Sequence, residues 1–458
     1  MRSQNRNERS HAHARGVMAL APLATLAWVA ALCAALVPAA AGAQAVVTAA
    51  QAARTAGVAP PPPDIAMLPA NDAPAVAPAH AVTLAEYLDL VRRGSLSLRA
   101  DQVRVQAARA DLRAASAFPN PSVSYSRKRG EREAGIEQPL PIFGQRGLRM
   151  EGAQLGIAAA AAQADVAYAD AARDAAREFI ALLVAQERHA RREAANRDLD
   201  AAAAIVRGQV QAGARSRYDL ARIEVQQAQS AMEVAKSQAA LDESAAKVAA
   251  AAALPQWQPR AVGSLQPAPQ STDFDALWAV AQQRLPAVRA AVAEQEHADK
   301  LVAVERREAL PTPSLSVGRL RNDDGRSNVI GVSVEIPLFD RREGAIAKAV
   351  AQREEAQLRR EAALSAAQSE LRRATSQLAQ RRQLSERYAR QGLERLGDLQ
   401  RMARDAYQLG QGSVLELIDS IESVAEKQIG YLDLVEEVLQ AELDVRSAAG
   451  DLTGRLLY

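Results

Sequence analysis

Two carboxylates three residues apart, Glu416 and Asp419, are the side chains whose type and spacing best fit a chemical task. They follow a glycine-containing break, so both fall in the first turn of a helix predicted to begin near Ser413. Residues three apart lie on the same helix face. A pore built from several copies of the chain would present them as rings of carboxylates, which favour cations.

The same residues have a purely local explanation. Ser413 can cap the helix and Glu416 can complete a capping box, as Ser216 and Asp219 can in the first half of the chain. A glycine before each serine can adopt the left-handed conformation that ends a helix. The two predicted hairpin tips contain Gly213, Ser216, Gly410, Gly412 and Ser413. Capping is the favoured interpretation of Asp219.

Enzyme chemistry has little support in this sequence. The single cysteine, Cys33, lies in the signal-like N-terminus, and the histidines beyond it, His80, His189 and His297, are isolated from one another. No HExxH motif, P-loop or nucleophile elbow occurs. The formal net charge is +2, which gives no reason to expect a nucleic acid partner. We therefore predict no catalytic residues, no metal site and no cofactor.

The N-terminus is typical of a secretory signal. A basic region precedes the apolar run Val17–Val37, and Ala41-Gly42-Ala43 offers a small-x-small cleavage site. We predict a signal peptide over residues 1–43, with a membrane anchor as the alternative, and an Ala/Pro-rich extension over residues 44–82. No later stretch reaches the ~18 apolar residues of a membrane helix. We therefore expect an exported chain that is soluble in the periplasm or enters a membrane through β-strands.

Two stretches of alternating residues predict β-hairpins, at 121–140 and 313–337. In the second, apolar residues alternate with Ser333 and Glu335, so one face is apolar and the other polar. The residues predicted to face lipid are Val123, Tyr125, Ile330, Val332 and Val334. A small soluble sheet that caps a helical bundle is the alternative.

Each hairpin is followed by a proline- and phenylalanine-containing junction and then by helix. The junction residues are Pro139, Pro141, Phe143, Pro337 and Phe339. The helices are predicted over residues 83–117, 145–211, 217–254, 275–309, 341–409 and 413–452. The order helix, hairpin, very long helix, helix therefore occurs twice, in repeats over 83–254 and 275–458 joined by a connector over 255–274.

Four strands cannot close a membrane barrel, because the smallest have about eight. An open sheet would leave two edges unpaired, which lipid does not tolerate. If these strands enter a membrane, several chains must share one barrel. The predicted fold class is therefore mainly α, with long coiled helices and a small membrane β part.

The sequence resembles the TolC-like outer-membrane efflux family from Thr83 to the C-terminus. The motifs that carry the resemblance are QPLPIFGQRG at Gln138–Gly147, EIPLFDRREG at Glu335–Gly344 and YQLGQGSVLELID at Tyr407–Asp419. The junction motif is most similar to the heavy-metal subgroup, which exports cobalt, zinc and cadmium or copper. The resemblance implies a homotrimer with a shared 12-stranded β-barrel in outer-membrane lipid and a periplasmic α-barrel.

The resemblance also implies a passive exit duct in a tripartite efflux system. Its partners would be a periplasmic adaptor and an inner-membrane pump of the resistance-nodulation-division type. There are two alternatives to a heavy-metal exit duct. One is an exit duct for drugs or for type I secretion, and the other is a periplasmic coiled-coil adaptor. The resemblance further implies that the hairpin tips close the periplasmic entrance. Glu416 and Asp419 match positions that carry aspartates at the family's constriction, so a gate is favoured for these two together. The sequence departs from the family at Gly412, where gate-linking members carry an arginine. A latch would then be weaker, or built from residues such as Arg215 or Arg217.

Overall fold

The computed structural model describes residues 81–267, 271–323 and 325–451. The predicted signal peptide, nearly all of the predicted N-terminal extension and the last seven residues lie outside the described residues. The helices are α1 (Leu84–Gly94), α2 (Leu96–Ser116), α3 (Gln145–Gln211), α4 (Arg217–Ala251), α5 (Phe274–Arg284), α6 (Pro286–Glu308), α7 (Glu343–Tyr388), α8 (Leu396–Gln408) and α9 (Val414–Ala449). The strands are β1 (Ser122–Lys128), β2 (Glu131–Pro139), β3 (Pro313–Asn322) and β4 (Gly325–Val334).

The very long helix α3 has the bounds that the sequence predicts. It contains 67 residues, which corresponds to roughly 100 Å at 1.5 Å per residue. Its first residue follows the junction after β2, and its last residue precedes the tip at Gly213. One helix length therefore separates the sheet from the hairpin tips.

Two helices that were predicted to be continuous are each broken once. The predicted helix over 83–117 is interrupted at Ser95, which is extended (ψ 120°) and follows Gly94, a poor helix former. The predicted helix over 275–309 is interrupted at Leu285, which is also extended (ψ 121°). Leu285 precedes Pro286, and a residue before proline is sterically driven out of the helical region.

The prediction of one helix over residues 341–409 is also wrong. α7 ends at Tyr388 and a π-helical turn, Ala389–Leu393, separates it from α8. Gly392 lies in that turn and Gly397 lies just beyond it, so local helix propensity is low. The sequence pattern gave no sign of the extra residue that a π turn inserts.

The helices pack side by side in an order that changes along their length. Near the sheet the order of neighbours is α2, α3, α6 and α7. Toward the tips it is α4, α3, α9 and then α8. Alanines such as Ala175 and Ala176 on α3 are buried, which lets the helix axes approach closely. In the largest core cluster, Tyr87 of α1 stacks on Phe179 of α3 with ring centroids 5.5 Å apart.

The strands form one antiparallel sheet in the order β1-β2-β3-β4. Pairing of β2 with β3 joins the hairpin of the first half of the chain to that of the second. Strand pairing in the first hairpin continues to Lys128 and Glu131 and leaves Arg129 and Gly130 as the turn. β4 ends at Val334, three residues before the end of the predicted hairpin at residue 337.

We predict that Gly450→Ala destabilises the protein more than Gly213→Ala does. Both glycines have left-handed backbone, with φ of +74° and +73°, so each alanine costs about 1–2 kcal/mol of conformational strain. A Cβ on Gly450 would also lie 2.9 Å from backbone atoms of Arg284 and Leu285, whereas one on Gly213 meets nothing within 4 Å. The clash should add about 1–3 kcal/mol.

The measurement is the free energy of unfolding of the two variants by chemical denaturation. Equal losses in both variants would contradict the close approach of the end of α9 to the α5–α6 junction.

Candidate functional site: the hairpin tips and the exposed sheet

Both predicted capping boxes are present at the tips. The Ser216 hydroxyl accepts from the Asp219 N–H at 3.2 Å, and the Asp219 carboxylate accepts from the Ser216 N–H at 3.3 Å. The corresponding distances for Ser413 and Glu416 are 3.2 and 2.9 Å. Gly213 and Gly410 precede these caps with φ of +73° and +75°. The capping interpretation of the serines, of Asp219 and of Glu416 is therefore confirmed.

The carboxylates predicted to line a gate lie on the surface of the single chain. Glu416 and Asp419 are both exposed in the first two turns of α9, and Asp219 is half-buried at the start of α4. One Glu416 oxygen is already used by the cap, and Asp419 has no such role. A carboxylate ring made from several copies of these residues stays a prediction.

Arg215 connects the two tips within one chain. Its Nη2 donates to the Gly412 carbonyl at 2.9 Å, and its guanidinium lies 4.9 Å from the centre of the Tyr407 ring. Each half of the chain thus supplies one side of this contact. Arg217, the other predicted latch residue, is exposed and makes no hydrogen bond or ion pair within the described ranges.

The backbone at Gly412 explains why the arginine does not lie on the second tip. A Cβ at Gly412 would lie 3.2 Å from the Tyr407 nitrogen and 3.3 Å from the Ala406 carbonyl carbon. The Gly412 N–H also donates back to the Ala406 carbonyl at 2.9 Å. A side chain at this position would therefore have to push against fixed backbone atoms.

Tyr407 is a tip residue that the sequence analysis missed. Its side chain is 1% exposed in the cluster formed by α3, α4 and α9 at the tips. Burial raises the pKa of the Tyr407 hydroxyl, Arg215 opposes that shift, and Asp219 adds to it. The ring therefore stays neutral at neutral pH and offers an aromatic face to the guanidinium. A tyrosine three residues before the helix-ending Gly410 was the available signal.

A second missed residue, Glu422, continues the acidic face of α9 by one turn beyond Asp419. Burial raises the pKa of the Glu422 carboxyl, and the neighbouring charges of Glu426 and Asp419 raise it further. Arg192 and Arg222 act in the opposite direction. Its spacing of three from Asp419 places it on the same helix face, so the pattern could have been extended from sequence.

Glu422 also lines a cavity of about 250 Å³ between α3, α4 and α9. Its carboxylate accepts a hydrogen bond from the Gln226 amide on α4. Arg192 and Glu426 lie in the same wall. The carboxylate is thus held between the two helical hairpins of the chain.

The register of the sheet places the residues predicted to face lipid on one face. Val123 is opposite Ile136, Ile136 is opposite Val317, and Val317 is opposite Ile330. Directly opposed residues share a face, and residues two apart along a strand do too. The exposed fractions are 79% for Val123, 67% for Tyr125, 75% for Ile330, 72% for Val332 and 50% for Val334. No element among the described residues therefore covers the apolar face of the sheet.

The opposite face of the sheet is small and polar. The Ser333 hydroxyl donates to the Glu137 carboxylate at 3.0 Å, and the Ser316 hydroxyl donates to the Gly331 carbonyl at 3.1 Å. A Cβ on Gly331 would lie 2.7 Å from the Ser316 hydroxyl oxygen, so a side chain here would require that hydroxyl to move and to give up its hydrogen bond to the Gly331 carbonyl.

The junctions after β2 and β4 differ in how tightly they are held. Pro139 ends β2, and Pro141 lies in the half-buried turn after it. The Phe143 N–H then donates to the Gln145 side chain at 3.0 Å, and the Phe143 carbonyl accepts from Arg307 at 3.2 Å. Gln145 is 1% exposed and was missed from sequence.

The second junction lies on the surface. Pro337 and Phe339 are in the irregular segment after β4, and Phe339 is fully exposed. The second junction is held at Arg342, the residue directly before α7, whose guanidinium donates to the Glu305 carboxylate at 2.8 Å.

Within residues 81–267, 271–323 and 325–451, no helix is long and apolar enough to cross a membrane. Over the same ranges, no group of three or more His, Cys, Asp or Glu side chains is arranged to hold a metal ion.

Comparison with known families gives one match to this arrangement of helices, tips and sheet. Residues 277–451 match the model of a family described as outer membrane efflux protein. Over this segment the chain is similar to that family. The family prediction is therefore confirmed, as is the prediction of an efflux channel located in the outer membrane. Members of this family are channel proteins rather than enzymes.

Two curated relatives and a solved structure extend the similarity beyond the matched segment. The cobalt-zinc-cadmium resistance protein CzcC of Cupriavidus metallidurans is 26% identical over 81% of this chain and 90% of its own length. The nickel-cobalt-cadmium resistance protein NccC of Alcaligenes xylosoxydans xylosoxydans is 28% identical over 67% of this chain and 71% of its own. The crystal structure of CusC, 20% identical, shares the fold with a TM-score of 0.65 over 80% of this chain and 92% of CusC.

We predict that Glu422→Gln raises the stability of the protein at neutral pH. A carboxyl with a raised pKa binds its proton more tightly in the folded state than in the unfolded state. The free energy of unfolding therefore falls as pH rises from the ordinary carboxyl pKa of 4.5 through the raised value. Glutamine keeps an acceptor for Gln226 and removes the charge.

The melting midpoint of Glu422→Gln should exceed that of the wild-type protein at pH 7 and match it at pH 4. Glu354→Gln, which removes an exposed carboxylate on α7, is the control. A variant that loses stability at pH 7 would show that the Glu422 charge is favourable where it lies.

We predict that Arg215→Ala loosens the tips and raises the conductance of the channel. The hydrogen bond from the guanidinium to a carbonyl contributes roughly 1.5–3 kcal/mol, and the contact with the ring of Tyr407 adds about 0.5–1 kcal/mol. Hydrogen exchange of residues 409–413 and single-channel conductance in planar bilayers are the measurements.

Arg217→Ala is the matched control, because it removes the same charge two residues away. Arg215→Lys should fall between the two, since lysine keeps the charge and loses the planar fork. Equal exchange rates in Arg215→Ala and Arg217→Ala would refute a tie between the tips.

Proposed function

We propose that this chain forms a homotrimer that is the outer-membrane exit duct of a heavy-metal efflux system. Divalent cations would pass through it passively. The observation that carries the proposal is the similarity to the cobalt-zinc-cadmium resistance protein CzcC, which extends over 90% of that protein. An adaptor in the periplasm and an inner-membrane pump of the resistance-nodulation-division type would deliver the cations and supply the energy.

Exposed apolar rows on α4 support assembly of several copies. α4 is the outermost helix of its layer near the tips. Its outward face carries residues spaced alternately by three and four, the spacing of a coiled-coil seam. The exposed members are Tyr218, Ala221, Val225, Ala228, Met232 and Ala235. An apolar seam of this length is stabilised when a second helix covers it.

The opposite edge of the same layer has a matching row. α8 exposes Leu399 and Met402, and Leu409 directly after α8 is also exposed; the half-buried Ala406 continues the same alternate spacing between them. Packing of α8 of one copy against α4 of the next would cover both rows. Alternation of large residues with alanines on α4 offers holes for the larger residues of α8.

The half of the molecule near the sheet repeats this arrangement. There the edge helices are α2 and α7. α2 exposes a seam formed by Leu96, Ala100, Val103, Ala107, Ala110 and Ala114. α7 exposes Ala351, Leu358 and Ala362. Each copy thus has two unpaired helix edges at both levels, as expected of one segment of a closed ring.

The sheet has two unpaired edges as well, on β1 and β4. Pairing of β4 of one copy with β1 of the next would satisfy both edges. Three copies would then form a shared 12-stranded barrel, which lies within the range of known membrane barrels. The exposed apolar face, with Val123, Tyr125 and Val332, would face lipid, and the serine-rich face would line the lumen.

The carboxylates of the tips provide a reason for cations to pass. Three copies of Glu416, Asp419 and Glu422 would place acidic side chains in successive turns around a narrow entrance. Rings of carboxylates raise the local concentration of cations and exclude anions. Asp219 would contribute mainly as a helix cap.

The test is the cobalt, zinc and cadmium content of cells that lack this chain. Cells without it should accumulate these ions, and the wild-type chain should restore the lower content. The double variant Glu416→Gln, Asp419→Asn should form trimers of normal mass but show lower cation selectivity in planar bilayers. The amides preserve the capping hydrogen bonds, so a change in selectivity reports on charge.

Retention of organic compounds instead of metal ions in the deletion strain would assign the duct to another substrate class. The metal proposal would then be wrong while the channel assignment stands. A monomer that forms no channels would contradict the assembly itself.

A further inference from the structure

Four arginines lie in one line across the sheet. Arg127 of β1 is opposite Arg132 of β2, Arg132 is opposite Arg321 of β3, and Arg321 is opposite Arg326 of β4. All four are exposed. We call this line, one residue from each strand, the arginine row. It is next to the two hairpin turns, at the end of the sheet that is farthest from α3 and α7.

The arginine row belongs to the apolar face of the sheet. Arg127 is four residues from Val123 and Arg326 is four residues from Ile330, so alternation puts them on the same side. Four residues of strand span about 13 Å. Tyr125 lies between the valine and arginine of β1, where an interfacial aromatic residue is expected. Along this face, apolar side chains thus give way to a tyrosine and then to cations.

The face that carries the arginine row has no carboxylate among the described strand residues. The acidic residues of β2, Glu131, Glu133 and Glu137, alternate with Arg132 and therefore lie on the opposite face. Arg319 is two residues from Arg321 on β3 and therefore lies on the same face, nearer to Val317. Its Nε donates to the Asn328 amide oxygen at 3.4 Å. The positive charges are thus separated from the acids by the sheet itself.

Such an arrangement is unfavourable in isolation. Like charges directly opposite each other on neighbouring strands destabilise a sheet, and three such pairs occur here in succession. None of the four arginines forms an ion pair with another described residue. An external anion would offset the repulsion. Guanidinium groups bind phosphate oxygens with two parallel hydrogen bonds, so phosphate is the anion that this row fits best.

We propose that the arginine row binds the sugar-linked phosphates of lipopolysaccharide in the outer leaflet of the outer membrane. The inference rests on the proposed function. If the helix tips form the periplasmic entrance of an outer-membrane duct, the hairpin turns at the far end of the sheet lie on the outer side. The apolar band below the row would contact acyl chains, and the row would meet the head groups. A phosphate monoester carries about −1.5 to −2 charges at pH 7, more than a phosphodiester, and matches a line of cations more closely. A homotrimer would repeat the row three times around its circumference.

The experiment uses the full-length protein in phosphatidylcholine nanodiscs that contain either lipopolysaccharide or phosphatidylglycerol at equal phosphate content. The variant carries Arg127→Gln, Arg132→Gln, Arg321→Gln and Arg326→Gln. The wild-type protein should retain lipopolysaccharide in preference to phosphatidylglycerol, and less so at high salt. The variant should bind lipopolysaccharide about tenfold or more weakly.

The control variant replaces four exposed arginines of the helices, Arg99, Arg306, Arg353 and Arg387, by glutamine. It has the same net charge as the test variant and should bind lipopolysaccharide as the wild-type protein does. If the fourfold variant fails to fold, Arg132→Gln with Arg321→Gln on the two central strands is the second test. That pair should lower affinity in the same direction.

Three results would overturn the inference. They are unchanged binding by the test variant, an equal loss in the control variant, and equal wild-type affinity for the two anionic lipids. Conductance separates this inference from the proposed function. A wild-type protein that forms no channels contradicts the duct, whereas a failed arginine row leaves conductance intact and concerns lipid binding alone.

Discussion

The unpaired backbone of β1 and β4 is the constraint on which the rest of this structure depends. A four-stranded meander joins two hairpins from distant parts of the chain, yet it leaves one row of peptide groups open on each side. The helices below repeat the same condition, with exposed seams on the edge helices at both levels. A single chain therefore has unpaired strand edges in its sheet and exposed apolar rows on its edge helices.

The hairpin tips are defined by local caps and by one contact between them. Capping boxes at Ser216 and Ser413 fix where α4 and α9 begin. Arg215 of one tip contacts Gly412 and Tyr407 of the other, close to the end of the helices. Each partner comes from a different half of the chain, so this contact adds to the apolar cluster around Ile223 and Ile418 that joins the two helical hairpins near the tips.

The sequence predicts most of this architecture because its strongest signals are local. Period-two alternation located the hairpins, and the glycine–serine–acid pattern located both tips. Local signals could not reveal Arg215 beside Tyr407, because almost 200 residues separate them and only the packing of α3 against α9 brings them together. The place of Glu422 on the acidic face of α9 could be read from its spacing, but its contact with Gln226 of α4 could not, because that contact depends on how two helices pack.

Breaks in the helices show the limit of periodicity as a guide. Leu285 precedes a proline and could have been recognised as a boundary, whereas Ser95 is polar and sits in a region of otherwise regular spacing. The arginine row could not be recognised in the sequence, because its four arginines become neighbours only through the register of the paired strands. In the sequence they are separate arginines in charged turns, and only strand pairing makes them neighbours.

The π turn between α7 and α8 changes how the helix after it is oriented about its axis. An α-helix advances about 100° per residue, so one inserted residue rotates everything below it by that angle relative to the part above. α7 and α8 therefore run in nearly the same direction but are out of phase. A helix without the insertion would present one continuous stripe to one set of neighbours. Both α7 and α8 pack against α9, so the phase change alters which side of the chain is turned away from α9. On α8 that exposed side carries Leu399 and Met402.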